Sequence, residues 1–583
     1  MGLVEKVRDS VIGKDTAVLT PFGLKRLTYA DYTASGRSLS FIEDYIRSKV
    51  LPMYANTHTE TSGTGLQTTR FREDARQIIR ESVGGNPDEH AVIFAGSGAT
   101  GAVDRLIGMM GLRIPSAINE KYGFAGQIPT GEIPIVFVGP YEHQSNELPW
   151  RETIAEVVEI SEDADGHVDL AELEKRLIEF ADRPLKVGSF SAASNVTGII
   201  SDTNAIASLL HEHDALSFWD FAASAPYVGI EMGAQKRPTD YKDAIFLSPH
   251  KLVGGPGTPG VLVVRKELIS NTVPAVPGGG TVQYVSPERH TYLADPEHRE
   301  EGGTPAIVES IRAGLVFQLK GRVGVDTIRE REHSFIRRAI DSWSTNPNIR
   351  ILGNPKADRL SIVSFIINHE EKVLHHNYVV AVLNDLFGIQ ARGGCSCAGP
   401  YGHRLLGIDS ETSARFEAAI ADGCEVIKPG RVRVNFNYFI PEEEFEYIIE
   451  AVHMTARDGW KLLPLYEFEP STAIWRHQDG LPEPPVSLLE VSFAEEPQKP
   501  PTLPIEALSS QLVEAATILS SPVTAHPAEV SLPENAEALR WFPSPREAVP
   551  PEAKPNGGTV PAGPTVLPLA GGSSLRSPKG GRR

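Results

Sequence analysis

Between about residues 27 and 452, short apolar runs alternate with longer stretches whose apolar positions recur at helical spacing. The apolar runs fall at 91–95, 135–138, 185–190, 216–219, 244–247 and 260–264. Helical stretches between them include 170–181 and 204–212. That alternation predicts βαβ units around a mostly parallel sheet, an α/β fold. Ligands of such sheets bind beyond the carboxyl ends of the strands. Gly96, His143, Asn195, Asp220 and Lys251 stand at those ends.

From about Gln318 the pattern changes. A long helical segment leads to an apolar run at 360–367, a helix near 379–387 and a strand-like run at 431–438, which predicts a smaller α+β domain. The expected organisation is an N-terminal arm over 1–28, a large domain over 29–315, a small domain over 316–468 and a tail over 469–583. Nineteen of the 45 prolines follow Gly480, so the tail reads as largely disordered, with one short helix around 505–519. No internal repeat is present.

Composition narrows the function classes. The 583 residues carry 75 Asp and Glu against 56 Lys and Arg, a formal charge of −19. That balance argues against non-specific nucleic-acid binding, which needs a basic surface. The three cysteines, Cys395, Cys397 and Cys424, are too few and too oddly spaced for a secreted disulfide framework. No apolar run approaches the ~20 residues that span a bilayer. The first six residues carry neither the apolar core of a signal peptide nor the residue required for myristoylation. The expected compartment is the cytoplasm.

The chemistry concentrates at 246–257, which reads Phe-Leu-Ser-Pro-His-Lys-Leu-Val-Gly-Gly-Pro-Gly. A strand end here delivers Ser248, His250 and Lys251 into a glycine-rich loop, where backbone and a flat ligand can approach closely. A lysine amine beside anion donors suits pyridoxal 5′-phosphate (PLP). Residues 96–101, Gly-Ser-Gly-Ala-Thr-Gly, follow a strand and open a helix, a geometry that binds a phosphate. The same motif admits a nicotinamide dinucleotide, with Glu120 near the distance of an acidic ribose partner, so an NAD-dependent dehydrogenase is an alternative. Asp220 is placed to hold a pyridinium proton, or to cap a helix. His143 can stack on a ring and move protons, or be a satisfied loop histidine. Asn195 can bond a ring oxygen or a carboxylate, or serve a turn.

Together, segments around 29–33, 94–102, 141–150, 194–198, 218–226, 246–257, 299–305, 392–400 and 433–438 resemble fold-type I PLP enzymes of the class V aminotransferase superfamily. Within it they look most like cysteine desulfurases and selenocysteine lyases. The resemblance implies that Lys251 carries the cofactor as a Schiff base, Asp220 pairs with the pyridinium and His143 stacks on the ring. It assigns Thr100, Ser248 and His250 to the phosphate, and Thr304 to the phosphate of a neighbouring subunit in a homodimer. Arg433 and Arg392 would hold the substrate carboxylate, a task suited to guanidinium geometry. Residues 392–400, Arg-Gly-Gly-Cys-Ser-Cys-Ala-Gly-Pro, resemble the loop of the catalytic cysteine, with Cys397 at the nucleophile position. By that resemblance the Cys397 thiolate takes sulfur from L-cysteine as a persulfide, for delivery to a sulfur-acceptor protein.

Several residues depart from the desulfurase pattern. Ala223 replaces a glutamine, Gln144 a second histidine, and Cys395-Ser396 a histidine pair. They surround the substrate and leave open an aminotransferase of a small amino acid in which Cys397 is dispensable. A PLP-binding scaffold without turnover, and a metal or redox pair of Cys395 and Cys397 near His403, are further alternatives.

Overall fold

The computed structural model describes residues 2–57, 59–394, 398–480, 486–494, 496, 498–523, 527 and 530–549. A seven-stranded sheet organises the large domain. Its strands are β1 (His90–Ala95), β2 (Ile135–Val138), β3 (Glu156–Glu159), β4 (Lys186–Ser191), β5 (Leu216–Asp220), β6 (Ala244–Leu247) and β7 (Gly260–Arg265), in the order β1-β7-β6-β5-β4-β2-β3. Every pairing is parallel except those of β7, which runs antiparallel to β1 and β6. The strands from β4 to β7 are buried on both faces, which is why they read as unbroken apolar runs. Burying each Val, Leu, Ile or Phe there contributes about 1.5–3 kcal/mol. This is the mostly parallel α/β sheet anticipated from the sequence.

Helix α1 (Gly63–Ser82) packs against α3 (Ile307–Val323), and α2 (Gly98–Met109) follows β1. Helix α3 runs across the expected domain boundary at 315/316 and is followed by α4 (Val325–Trp343). The small domain is built on an antiparallel sheet of β8 (Ile349–Ile351), β9 (Ile362–His369), β10 (Arg392–Gly394) and β11 (Arg431–Asn435), ordered β8-β9-β11-β10. Helices α5 (His376–Phe387) and α6 (Glu442–Asp458) cover it. The N-terminal arm joins this domain, because Thr28 and Tyr29 pair in parallel with Ile389 and Gln390.

The short helix expected in the tail around 505–519 is present, at Ala507–Ser520. Residues 466–468 and 475–477 form a short antiparallel pair. Residues 501–523 and 530–549 strap the small domain: helix α7 (Ala507–Ser520) lies on α6, and Leu508, Ala515, Leu519 and Phe542 are buried. Thr502 bridges Thr16, and buried Lys25 donates to Glu514 at 2.6 Å. The Trp541 ring lies nearly parallel to His375 at 5.2 Å. Among the described tail residues, the scattered apolar side chains of 501–523 and 530–549 find partners far away in sequence. Residues 550–583 lie outside the described residues.

Candidate functional site

One cavity of about 220 Å³ opens at the carboxyl ends of the parallel strands, at the meeting of the two domains. Its wall brings together Thr100, His143, Asn195, Asp220, Ser248, His250, Lys251, Arg392 and Arg433.

The anion end is made by α2. Gly98 opens the helix with φ +55°, and a Cβ there would stand 2.9 Å from Ser248 Oγ and 3.0 Å from His250 Cε1. Glycine thus lets the helix start lie directly against those two side chains. Ala99 N–H donates to Ser248 Oγ at 2.9 Å, and the Thr100 and Ser145 hydroxyls are 2.6 Å apart. Free N–H groups and the helix dipole favour an anion here. Burial, with Lys251 adding to it, pushes the His250 imidazole down to about 4.

Lys251 follows β6 in a single helical turn, Pro249–Lys251. Its amine makes no hydrogen bond or ion pair among the described residues. Burial pushes it down to about 8; Asp220 opposes that, while Arg433 and Arg392 reinforce it. Asp220 ends β5, buried, and accepts from Ala222 N–H at 2.7 Å. Burial raises its carboxyl above the ordinary range against the pull of Ala222 and Lys251.

His143 lies in the loop after β2. Its Nδ1 is 3.0 Å from Ser145 Oγ, and burial pushes the ring down to about 4, assisted by Lys251, Arg433 and Arg392. Beneath it, Glu142 is fully enclosed. Its carboxylate accepts from Asn146 Nδ2, Ser191 Oγ and Ser191 N–H, each at 2.7 Å. Burial still pushes it up to about 8.

At the small-domain end, Arg392 and Arg433 are cross-strand partners on β10 and β11. Asp31, which the sequence reading did not select, accepts from both: Arg433 Nη2 at 2.9 Å and Arg392 Nε at 3.0 Å. Arg433 Nη1 also donates to the Asn195 carbonyl at 3.0 Å. Thr33, two residues on, lines the cavity with a buried hydroxyl that has no hydrogen-bond partner among the described residues. The only sequence signal for either residue was its place in the quoted segment 29–33.

Thr304 does not line this cavity. It is exposed and accepts from Asn56 Nδ2 at 3.2 Å. Its loop is anchored by Glu301, which takes hydrogen bonds from Arg76 Nη2 at 3.0 Å and Phe94 N–H at 2.7 Å. Cys395 and Cys397 lie outside the described residues. No described helix is long and apolar enough to cross a membrane.

The geometry is accompanied by clear likenesses. A probable cysteine desulfurase of Halalkalibacterium halodurans is 28% identical over 382 residues, 64% of this chain and 84% of that protein. One of Streptomyces coelicolor is 26% identical over 416 residues, 69% of this chain and 92% of that protein. The solved apo cysteine desulfurase of Thermococcus onnurineus superposes with a TM-score of 0.61 at 23% identity, covering 78% of this chain and 99% of that one. The Escherichia coli cysteine desulfurase CsdA gives 0.56 at 20% identity, covering 73% and 93%. These superpositions establish the common fold. A family description for class-V aminotransferases matches residues 28–417, more than half of the chain. The protein therefore belongs to the class-V aminotransferase family, whose members are PLP-dependent enzymes.

Proposed function

We propose that the protein is a cysteine desulfurase-like enzyme that takes the sulfur from L-cysteine and releases alanine. The observation that carries this reading is the meeting, in one cavity, of a buried lysine, a buried carboxylate, a helix N-terminus and an arginine pair. The relatives named as probable cysteine desulfurases support the choice of reaction.

The residues fit PLP. The N-terminus of α2 with Thr100, Ser248 and His250 suits the phosphate, Asp220 suits the ring nitrogen, and His143 suits the ring face. Lys251 has no competing partner among the described residues, and the unpartnered Thr33 hydroxyl faces the same space. When bound, PLP supplies an electron sink for charge developing at the substrate Cα.

The chain's own groups do the rest. Arg433 and Arg392 hold the α-carboxylate. Lys251, with its amine near 8, is neutral often enough at pH 7 to accept a proton from Cα. Cys397 attacks the substrate sulfur as a thiolate. A bond forms between its Sγ and that sulfur, the substrate Cβ–S bond breaks, and Cβ gains a proton. L-cysteine plus the enzyme thiol thus gives alanine plus an enzyme persulfide, from which an acceptor protein draws the sulfur. Thr304, outside its own subunit's cavity, serves the phosphate of the partner copy in a homodimer.

The test is sulfide and alanine release from L-cysteine with a thiol reductant. Equal amounts of both are expected, with sulfide abolished by Cys397→Ala while the bound cofactor's absorbance persists. Cofactor absorbance without sulfide, and turnover of another amino acid indifferent to Cys397→Ala, would move the activity to transamination.

A further inference from the structure

Arg392 and Arg433 stand directly opposite each other on antiparallel strands, a pairing of like charges that is repulsive by itself. Arg433 is almost wholly buried, its side chain only 4% exposed. A single anion reconciles the two: each oxygen of Asp31 takes one guanidinium, Oδ1 from Arg433 and Oδ2 from Arg392. Asp31 is itself fixed through its neighbour, because Ala30 N–H donates to Gln390 O at 3.0 Å and Ala30 O accepts from Asn435 N–H at 2.9 Å. The loop is thus laced to the residues beside both arginines.

This arrangement leaves one net positive charge at the cavity wall. Arg433 Nε has no hydrogen-bond partner among the described residues, and Arg392 is 45% exposed on its outer side. One further carboxylate makes the set neutral.

We propose that Asp31 is a positioning residue that holds Arg392 and Arg433 as one carboxylate receptor and so sets the site's preference for amino acids over simple amines. This role rests on the reading of the two arginines as the seat of the substrate carboxylate. Without Asp31 the guanidiniums repel, Arg392 turns to solvent, and the receptor opens. Ligands that carry no carboxylate lose nothing by this.

The test compares L-alanine with ethylamine, which differ only in the carboxylate. Both are titrated into the PLP-loaded protein and followed by its visible spectrum. Asp31→Asn is expected to weaken L-alanine by at least about tenfold and ethylamine by less than about twofold. L-alanine affinity that is unchanged or improved overturns the proposal, and so does an equal loss for both ligands, which would mark a structural role. If wild-type protein itself fails to respond to L-alanine, the proposed function falls and takes this role with it; a normal wild-type response with no selective loss sinks Asp31 alone. Should Asp31→Asn fail to fold, Asp31→Glu keeps the charge and displaces it by one methylene. The same selective weakening of L-alanine is then expected.

Discussion

The backbone N–H of Ser145 donates to Nδ1 of His143 at 3.1 Å. An amide can only donate, so Nδ1 accepts and the neutral ring carries its proton on Nε2. The ring is therefore preset as a donor at Nε2, and it gains a second proton only as the pH falls through about 4. In cofactor-free protein the His143 ring protons, followed by NMR, should therefore titrate near pH 4. A ring titrating near 6.5 would show that burial does not depress this imidazole. In the proposed reaction, His143→Ala should lower kcat by about 100-fold.

Lys251 is expected to react as a neutral amine at unusually low pH. In cofactor-free protein, its modification by trinitrobenzenesulfonate, read by peptide mass, should be half-maximal near pH 8. A rate still climbing beyond pH 9.5 would mean that burial does not depress this amine. Lys251→Ala should remove the visible absorbance of the loaded protein.

Glu142 gives a pH dependence of stability whose sign can be worked out. Its native value of about 8 lies above its ordinary 4.5, so the folded state binds the extra proton. The resulting stabilisation is fully present below about 4.5 and is lost as the pH rises through 8. Glu142→Gln removes this dependence. Relative to wild type, the variant should gain stability between pH 5 and 8.5, measured as the difference in urea midpoints. A constant difference across that range would refute the raised carboxyl.

Phe542 tests the strap. It is fully buried, edge-on to His375 at 4.8 Å and to Trp475 at 5.9 Å. Phe542→Ala should cost about 3–5 kcal/mol by denaturant unfolding. A loss below about 1 kcal/mol would mean that residues 530–549 do not hold to the small domain in solution.

The large sheet was legible because its strands announce themselves locally. The runs at 135–138 and 244–247 coincide with strands to the residue, since burial on both faces leaves no polar position to blur them. Edge strand β3 was not legible: Glu-Val-Val-Glu, half exposed, has no such signature. Lys251, Asp220 and His143 could be read from their segments because each follows a strand that points at the cavity. Asp31 could not. Its meaning arises only when β10 and β11 bring two arginines face to face, far away in sequence. The packing of the described tail residues was hidden for a related reason. The tail's prolines are visible locally, whereas the rings that Trp541 and Phe542 meet lie far back in the chain, at His375, Phe468 and Trp475.

The crossing of Thr16 with Thr502, and of Lys25 with Glu514, bears on the order of assembly during synthesis. Large-domain strands β1 to β7 have all emerged by residue 265, and the free edge of β1 is closed soon after, when Glu297 and Glu301 accept from Val92 and Phe94 N–H. The N-terminal arm pairs with the small domain once residues 389 and 390 have emerged, but its contacts at Thr16 and Lys25 wait for residues 502 and 514, which at about 5–20 residues per second is a further delay of several seconds. The anion and lysine end of the cavity thus emerges first and the arginine end by residue 433, while the outer clasp on the arm comes last. A nascent chain halted before residue 501 would carry a finished sheet and both arginines, with the arm still lacking its partners at Thr16 and Lys25.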